Sequence, residues 1–298
     1  MGTTLLPQRL RAAPVVTKIR PLQLRGDRNA LSVDLEDWYH MCNAEEYLPT
    51  SRWDEYEERV TRNTRKILDM LDKFEVRATF FILGYIAHRH PGLVKEVARA
   101  GHELGTHGYF HRQVFQMTPD EFRDDLRRSI ESISDAVSAP VIGYRAPMWS
   151  INRESLWAIE ILAEEGILYD SSVASMSILS GTSMPSLPFD WETGAGRVRE
   201  FPLPTTRCFW ERLPYTGGLP LRMNPYWYVA QRIRTTNRGG NPILVYIHPW
   251  EFDDALPRLE IPFWSRFFQN FNIKATPPRV RGLLREFEFA PIGEVLEV

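Results

Sequence analysis

The chain has 298 residues, 43% hydrophobic and 25% charged, the make-up of a globular protein with room for one large α/β domain or two small ones. A formal net charge of −2 gives no reason to expect nucleic acid or an anionic membrane as the main partner. Two cysteines, Cys42 and Cys208, are too few for a disulfide framework; with no apolar leader and no membrane-length run, the expectation is a cytoplasmic protein with free thiols and no transmembrane segment.

Residues 1–28 carry no period and read as a loose N-terminal arm. Residues 30–34 read as a buried strand that runs into an acidic cluster, Asp34, Glu36 and Asp37. Residues 56–74 place Val60, Ile67, Leu68 and Leu71 among charges, an amphipathic helix. A second buried strand covers residues 78–83, and a helix over 91–100 opens on Pro91 and stops before Gly101. Residues 102–106 form a third strand leading into His107-Gly108-Tyr109-Phe110-His111. Thr118, Pro119 and Glu121 open a helix to about residue 137.

Residues 141–144 read as a fourth strand, ending at Arg145-Ala146-Pro147. Asn152 caps a helix through Glu165, and residues 167–169 form a fifth strand ending at Asp170. Residues 171–196 are rich in Ser, Pro and Gly and read as loop. A sixth strand covers 198–202, a helix 224–234, and a seventh strand 242–247, ending at His248. The last stretch holds an aromatic cluster (Phe263, Trp264, Phe267, Phe268, Phe271), a helix near 279–287 and a strand-like tail. Strands alternating with helices predict a parallel sheet with helices outside, and seven strands predict an incomplete or distorted β/α barrel. The domains expected are an arm (1–28), a barrel (29–250) and a C-terminal extension packed on it (251–298).

The reactive residue types fall where predicted strands end, the face on which β/α barrels build their sites. On one helical turn, His107 and His111 would share a face and point at one metal ion. Two histidines and one carboxylate leave open positions for water and substrate, while a second carboxylate stays free to take a proton. Arg145 would hold a carboxylate ionised, Asp170 would orient a histidine, and His248 would protonate a leaving amine. His40, His88 and His90 read as surface or loop residues, and His102 as a strand residue with a structural hydrogen bond. Trp38, Tyr39, Trp149 and Trp250 each lie beside a candidate reactive segment, as stacking residues for a sugar would.

In this order, these motifs resemble the NodB-type polysaccharide deacetylases, carbohydrate esterase family 4, over roughly residues 30–250. Ser32-Val33-Asp34-Leu35-Glu36-Asp37-Trp38 and His248-Pro249-Trp250-Glu251-Phe252 resemble the branch found in exopolysaccharide loci, which carries a C-terminal extension. The resemblance implies a distorted (β/α)7-type barrel and a divalent metal, usually zinc. It makes Asp34 the general base and His107 and His111 metal ligands. It has Arg145 support Asp34 and Asp170 pair with the general acid His248. The third ligand is Glu36 or Asp37, because the family's adjacent aspartates are absent here. Gly108 stands where relatives carry Ser or Thr.

The implied reaction is hydrolysis of N-acetyl groups on N-acetylhexosamine units of an exopolysaccharide or its precursor. Two other readings stand beside it. One is a non-sugar amidohydrolase of the allantoinase type; the other is a non-catalytic glycan-binding module.

Overall fold

Seven parallel strands in one sheet set the architecture. The computed structural model describes residues 16–24, 28–41, 44–176, 184–257 and 261–298. In chain order the elements begin with β1 (Val16–Pro21), β2 (Asn29–Leu35), α1 (Val60–Lys73), β3 (Thr79–Ile82), α2 (Gly84–Arg89) and α3 (Pro91–Arg99). Next come β4 (Glu103–Thr106), α4 (Pro119–Ala136), β5 (Gly143–Tyr144), α5 (Trp157–Glu164), β6 (Tyr169–Asp170), β7 (Phe189–Thr193) and β8 (Arg197–Glu200). A hairpin follows, β9 (Thr205–Cys208) and β10 (Glu211–Pro214), then α6 (Gly218–Met223), α7 (Tyr226–Arg238) and β11 (Leu244–Ile247). The chain closes with α8 (Phe263–Asn270), α9 (Thr276–Glu286), β12 (Phe289–Ala290) and α10 (Ile292–Leu296).

The parallel order is β8-β6-β5-β4-β3-β2-β11. The far edge of β8 is taken by antiparallel β7, which in turn pairs with β1. With both edges of β8 occupied, β11 does not close onto it, and the (β/α)7 barrel stays distorted and open at that seam. The seven strands in this order overlap the seven runs read as strands from sequence. β3 and β11 are buried along their length and mostly apolar, as strands covered on both faces need to be, whereas β8 carries Val198 between Arg197, Arg199 and Glu200.

Several local expectations are corrected. Part of the supposed arm is strand β1, and residues 1–15 and 25–27 lie outside the described residues. The supposed loop 171–196 contains β7, although residues 177–183 lie outside the description. Asn152 does not open α5: its side chain accepts from Glu154 N at 2.8 Å in a turn, and the helix starts at Trp157. The strand-like tail is β12 followed by a helix. Cys208 is a partly buried free thiol, and Cys42 lies outside the described residues. Among the described residues no helix is long and apolar enough to cross a membrane.

Side chains alternate along each strand, so parity sorts the barrel. Leu31, Val33 and Leu35 pack outward with the residues of α1 and α3, while Ala30 joins Phe81, Tyr169, Leu244 and Tyr246 inside. Gly143 makes room for an inward ring: a Cβ there would lie 2.1 Å from Tyr169 Cζ. Outside, α1 buries Val60, Thr64, Ile67 and Leu71 at helical spacing. α4 carries the predicted capping box between Thr118 and Glu121.

The last residues seal the base of the barrel. β12 pairs with the start of β2, and α10 packs against the bottom. Glu103 Oε1 gathers Thr79 Oγ1 at 2.6 Å, the Tyr169 hydroxyl at 2.6 Å and Gly293 N at 3.2 Å. Glu103→Ala leaves these donors without an acceptor. It is expected to lower unfolding stability by about 2 kcal/mol, read as a fall in denaturant midpoint at unchanged slope. A change below about 0.5 kcal/mol would show that this carboxylate does not hold the base.

Candidate metal and acid–base site

The inward parity of the strands gathers one group of polar side chains at their C-terminal ends. Asp34 ends β2, His107 follows β4, Arg145 follows β5, Ser171 follows β6 and His248 follows β11. Buried Arg145 sits among them. Its Nη1 donates to Ser32 Oγ and Asp34 Oδ1, both at 2.7 Å; its Nε and Nη2 reach Ser171 O at 3.1 Å and Ser171 Oγ at 2.8 Å. The guanidinium also stacks over Phe81 at 4.2 Å and Trp149 at 4.7 Å.

His107 and His111 converge, but not on a helix. Both lie in a loop that turns through Gly108 at φ +74° and His111 at φ +55°, bringing the ring centroids to 5.0 Å. Only a residue without Cβ fits at Gly108, since a Cβ would lie 2.8 Å from Asp125 Oδ2. α4 holds the loop from below. The Asp125 carboxylate accepts from Tyr109 N at 2.7 Å and Phe110 N at 3.3 Å, and Ser129 Oγ donates to Gly108 O at 3.0 Å. Sequence reasoning missed Asp125, a half-buried charge on α4 that no local pattern distinguishes from its exposed neighbours.

Glu36, His107 and His111 are all buried, and each offers a ligand atom within 4.8 Å of the others. Glu36 Oε2 lies 2.7 Å from His111 Nε2 without the alignment of a hydrogen bond, and Oε1 accepts from Trp250 Nε1 at 3.2 Å. His107 Nδ1 faces the Arg145 carbonyl at 2.8 Å, so a neutral ring carries its proton there and turns an Nε2 lone pair to the site. Burial lowers the His107 pKa to about 4 despite the nearby Asp34, keeping the ring neutral. Burial would push the Glu36 carboxyl up, but the neighbouring imidazoles, His111 foremost, outweigh it and hold it well below the usual range. Two neutral-capable imidazoles and one ionised carboxylate oxygen with no aligned donor fit a divalent ion such as zinc.

Asp37, the alternative third ligand, is turned away. Its carboxylate accepts from Trp38 N at 2.8 Å, Arg59 N at 2.7 Å and Val60 N at 2.8 Å, capping the start of α1. Burial pushes its pKa up to about 6 against those three bonds.

His248 stands opposite the histidine pair. Its Nε2 lies 3.7 Å from Glu36 Oε1 and 3.9 Å from Asp34 Oδ2. Its expected partner Asp170 is elsewhere. Tyr169 and Ser171 point inward, so Asp170 points out, beside Glu200 on the neighbouring strand. Burial pushes both of these carboxyls up, Glu200 further because Asp170 stands next to it, so the pair retains a proton. The His248 partner is Glu251. Glu251 Oε2 meets His248 Nδ1 at 3.2 Å and accepts from His248 N at 3.0 Å; Oε1 pairs with buried Arg222 Nε at 3.0 Å. Burial would lower the His248 pKa, but the bond and charge of Glu251, with Glu36 and Asp34 behind, raise it above the ordinary imidazole value. The capping-box spacing of His248 and Glu251 is the signal that could have found this pair.

The expected sugar-stacking rings are mostly unavailable. Trp38 and Tyr39 are buried in a cluster with Trp53, Tyr56 and His40, and His40 is core rather than surface. Trp149 is buried over Arg145, and only Trp250 keeps partial exposure, stacked on His248 at 4.9 Å. His102 behaves as expected, accepting from Ala78 N at 3.2 Å.

Residues 52–165 match the family model described as Polysaccharide deacetylase, and residues 171–297 match the one described as Domain of unknown function (DUF3473). A peptidoglycan deacetylase from Helicobacter pylori is 32% identical over 108 residues, 36% of this chain and 36% of that protein. A peptidoglycan-N-acetylglucosamine deacetylase from Bacillus cereus is 36% identical over 98 residues, 33% of this chain and 36% of that protein. The chain therefore spans little more than a third of the length of either relative. A crystal structure of a candidate polysaccharide deacetylase from Mycobacterium smegmatis superimposes with a TM-score of 0.62 at 23% identity, over 95% of this chain and 94% of that one, a likeness of fold.

The two neighbouring acids separate in a simple experiment. Glu36→Ala is expected to lose bound metal, measured by elemental analysis of purified protein. Asp37→Ala is expected to keep the metal but lose about 1–3 kcal/mol of stability, because backbone donors lose their acceptor. The reverse result would move the third ligand to Asp37.

Proposed function

We propose, on the footing that this chain carries a polysaccharide deacetylase domain, that it is a metal-dependent hydrolase removing N-acetyl groups from N-acetylhexosamine units of an exopolysaccharide or its precursor. The observation that carries this reading is a carboxylate and an imidazole beside one donor set. His248 Nε2 lies 3.9 Å from Asp34 Oδ2 and 3.7 Å from Glu36 Oε1, and Glu36 forms the triad with His107 and His111.

Glu36, His107 and His111 would hold the metal. Bound there, it would polarise the acetyl carbonyl and lower the pKa of water. Asp34 takes the proton from the attacking water, and Arg145 fixes its Oδ1 so that Oδ2 faces the reacting centre. His248 gives a proton from Nε2 to the nitrogen of the departing sugar amine, while acetate leaves with the new C–O bond. Glu251 keeps that imidazole charged and aimed, because its carboxylate binds Nδ1 and the backbone N–H together.

Asp34→Asn and His248→Ala should each lower turnover by about 10² or more with metal content unchanged, read as acetate release from N-acetylglucosamine oligomers. An Asp34→Asn protein with full turnover would sink the mechanism. Glu251→Gln removes the charge that raises the His248 pKa. The acid form is then lost at lower pH, and the alkaline limb of kcat/KM moves to lower pH. Asp170→Asn should leave that limb in place; if Asp170→Asn shifts it and Glu251→Gln does not, Asp170 is the partner after all.

A further inference from the structure

The helix Phe263–Asn270 is inside out. It carries four aromatic residues, yet its buried side chain is Gln269, while Phe263, Trp264 and Phe268 are 62%, 66% and 45% exposed. A surface helix normally turns its apolar stripe to the core and its amides to water. Here the polar anchors dictate the orientation. The Gln269 amide donates to Trp38 O at 3.1 Å, beside the segment that carries Glu36. Buried Arg222 donates to Gln269 O at 2.6 Å, Phe271 O at 3.0 Å and Phe268 O at 3.0 Å while pairing with Glu251. The C-terminal end of the helix is thus moored to both sides of the site, to the metal-ligand segment and to the partner of the acid. From that anchored end the helix leaves Phe263, Trp264 and Phe268 exposed.

Those rings form two stepped pairs at helical spacing. Phe263 and Phe267 lie 6.4 Å apart at 25°, and Trp264 and Phe268 lie 6.4 Å apart at 31°. In the site itself Trp38, Tyr39 and Trp149 are buried, and of the four expected rings Trp250 alone keeps partial exposure.

Building on the deacetylase reading above, we propose that this helix is a stacking platform for the glycan chain beyond the reacting sugar. The occupant is a run of hexoses whose C–H faces lie on Phe263, Trp264 and Phe268. Pyranose C–H groups carry partial positive charge and meet the negative π faces, and aromatic side chains lose little conformational entropy on contact. Composition weighs against the other occupants of an apolar helix. The helix has no Leu, Ile or Val for a helix-packed dimer, and its single cation, Arg266, is too little for an anionic membrane surface. A polymeric glycan bound at the site would continue past the reacting sugar.

The test uses the full chain with Phe263→Ala and Trp264→Ala combined, both exposed positions. The ratio of kcat/KM for the N-acetylglucosamine hexamer over the dimer is expected to fall about tenfold, carried by KM. An unchanged ratio overturns the platform. A second measurement needs no turnover: titration calorimetry of the hexamer into Asp34→Asn protein, with and without the two ring substitutions. A Kd weakened about tenfold supports the platform, and an unchanged Kd overturns it. If the intact protein releases no acetate but the calorimetric contrast holds, the deacetylase reading fails and the platform stands. If the same substitutions instead abolish binding to phosphatidylglycerol vesicles or a concentration-dependent dimer, with glycan affinity unchanged, the occupant is not a glycan.

Discussion

The buried ion pair between Arg145 and Asp34 is the interaction on which the rest of the site depends. A guanidinium this deep costs several kcal/mol to desolvate, and the cost is offset only if nearly all its donors find acceptors. Arg145 meets that demand with the ends of three strands: Ser32 and Asp34 from β2, Ser171 from β6, and its own place after β5. Satisfying one buried charge therefore fixes the relative heights of the strand ends. It also orients Asp34 with one oxygen committed and the other facing His248. The Arg145 carbonyl then sets the His107 tautomer, so the same residue aligns Asp34 and His107.

The site belongs to neither matched segment alone. Asp34 and Glu36 precede residue 52; His107, His111 and Arg145 fall within 52–165; His248 and Glu251 fall within 171–297. The C-terminal region supplies His248, the Glu251 carboxylate that orients it, Arg222 behind that carboxylate and the seal at the base of the barrel. A polar chain thus runs from the aromatic helix through Arg222 and Glu251 to His248. The aromatic helix and His248 thus share one set of hydrogen bonds.

Much of this was legible before any coordinates. Strands such as β3 and β11 read as apolar runs because both faces are covered, and the polar residues closing the strands marked the site face. The edge strands β1 and β7 were not visible, because their residues alternate with charge and lie among prolines and serines. The choice between Glu36 and Asp37 was hidden because adjacent residues differ by direction, not by type. Asp37 caps a helix twenty residues on, a contact no local pattern displays. Asp170 shows the opposite case. Strand parity alone would have turned it outward, given that Tyr169 packs inside.

The sequence by itself determined the inventory: the barrel, the strand-end acids, the histidine pair, the basic residue and the terminal histidine. Residue type and spacing carry that information because metal ligation, proton transfer and strand burial each need particular side chains. Tertiary structure alone decided the pairings. Glu36 faces the histidines while Asp37 caps a helix, and Glu251 takes the place expected for Asp170. Trp38, Tyr39 and Trp149 turn into the core, leaving the exposed rings to a helix that buries its glutamine. Partner choice depends on which face of a strand or turn each side chain leaves from, and the faces are set only when the strands meet.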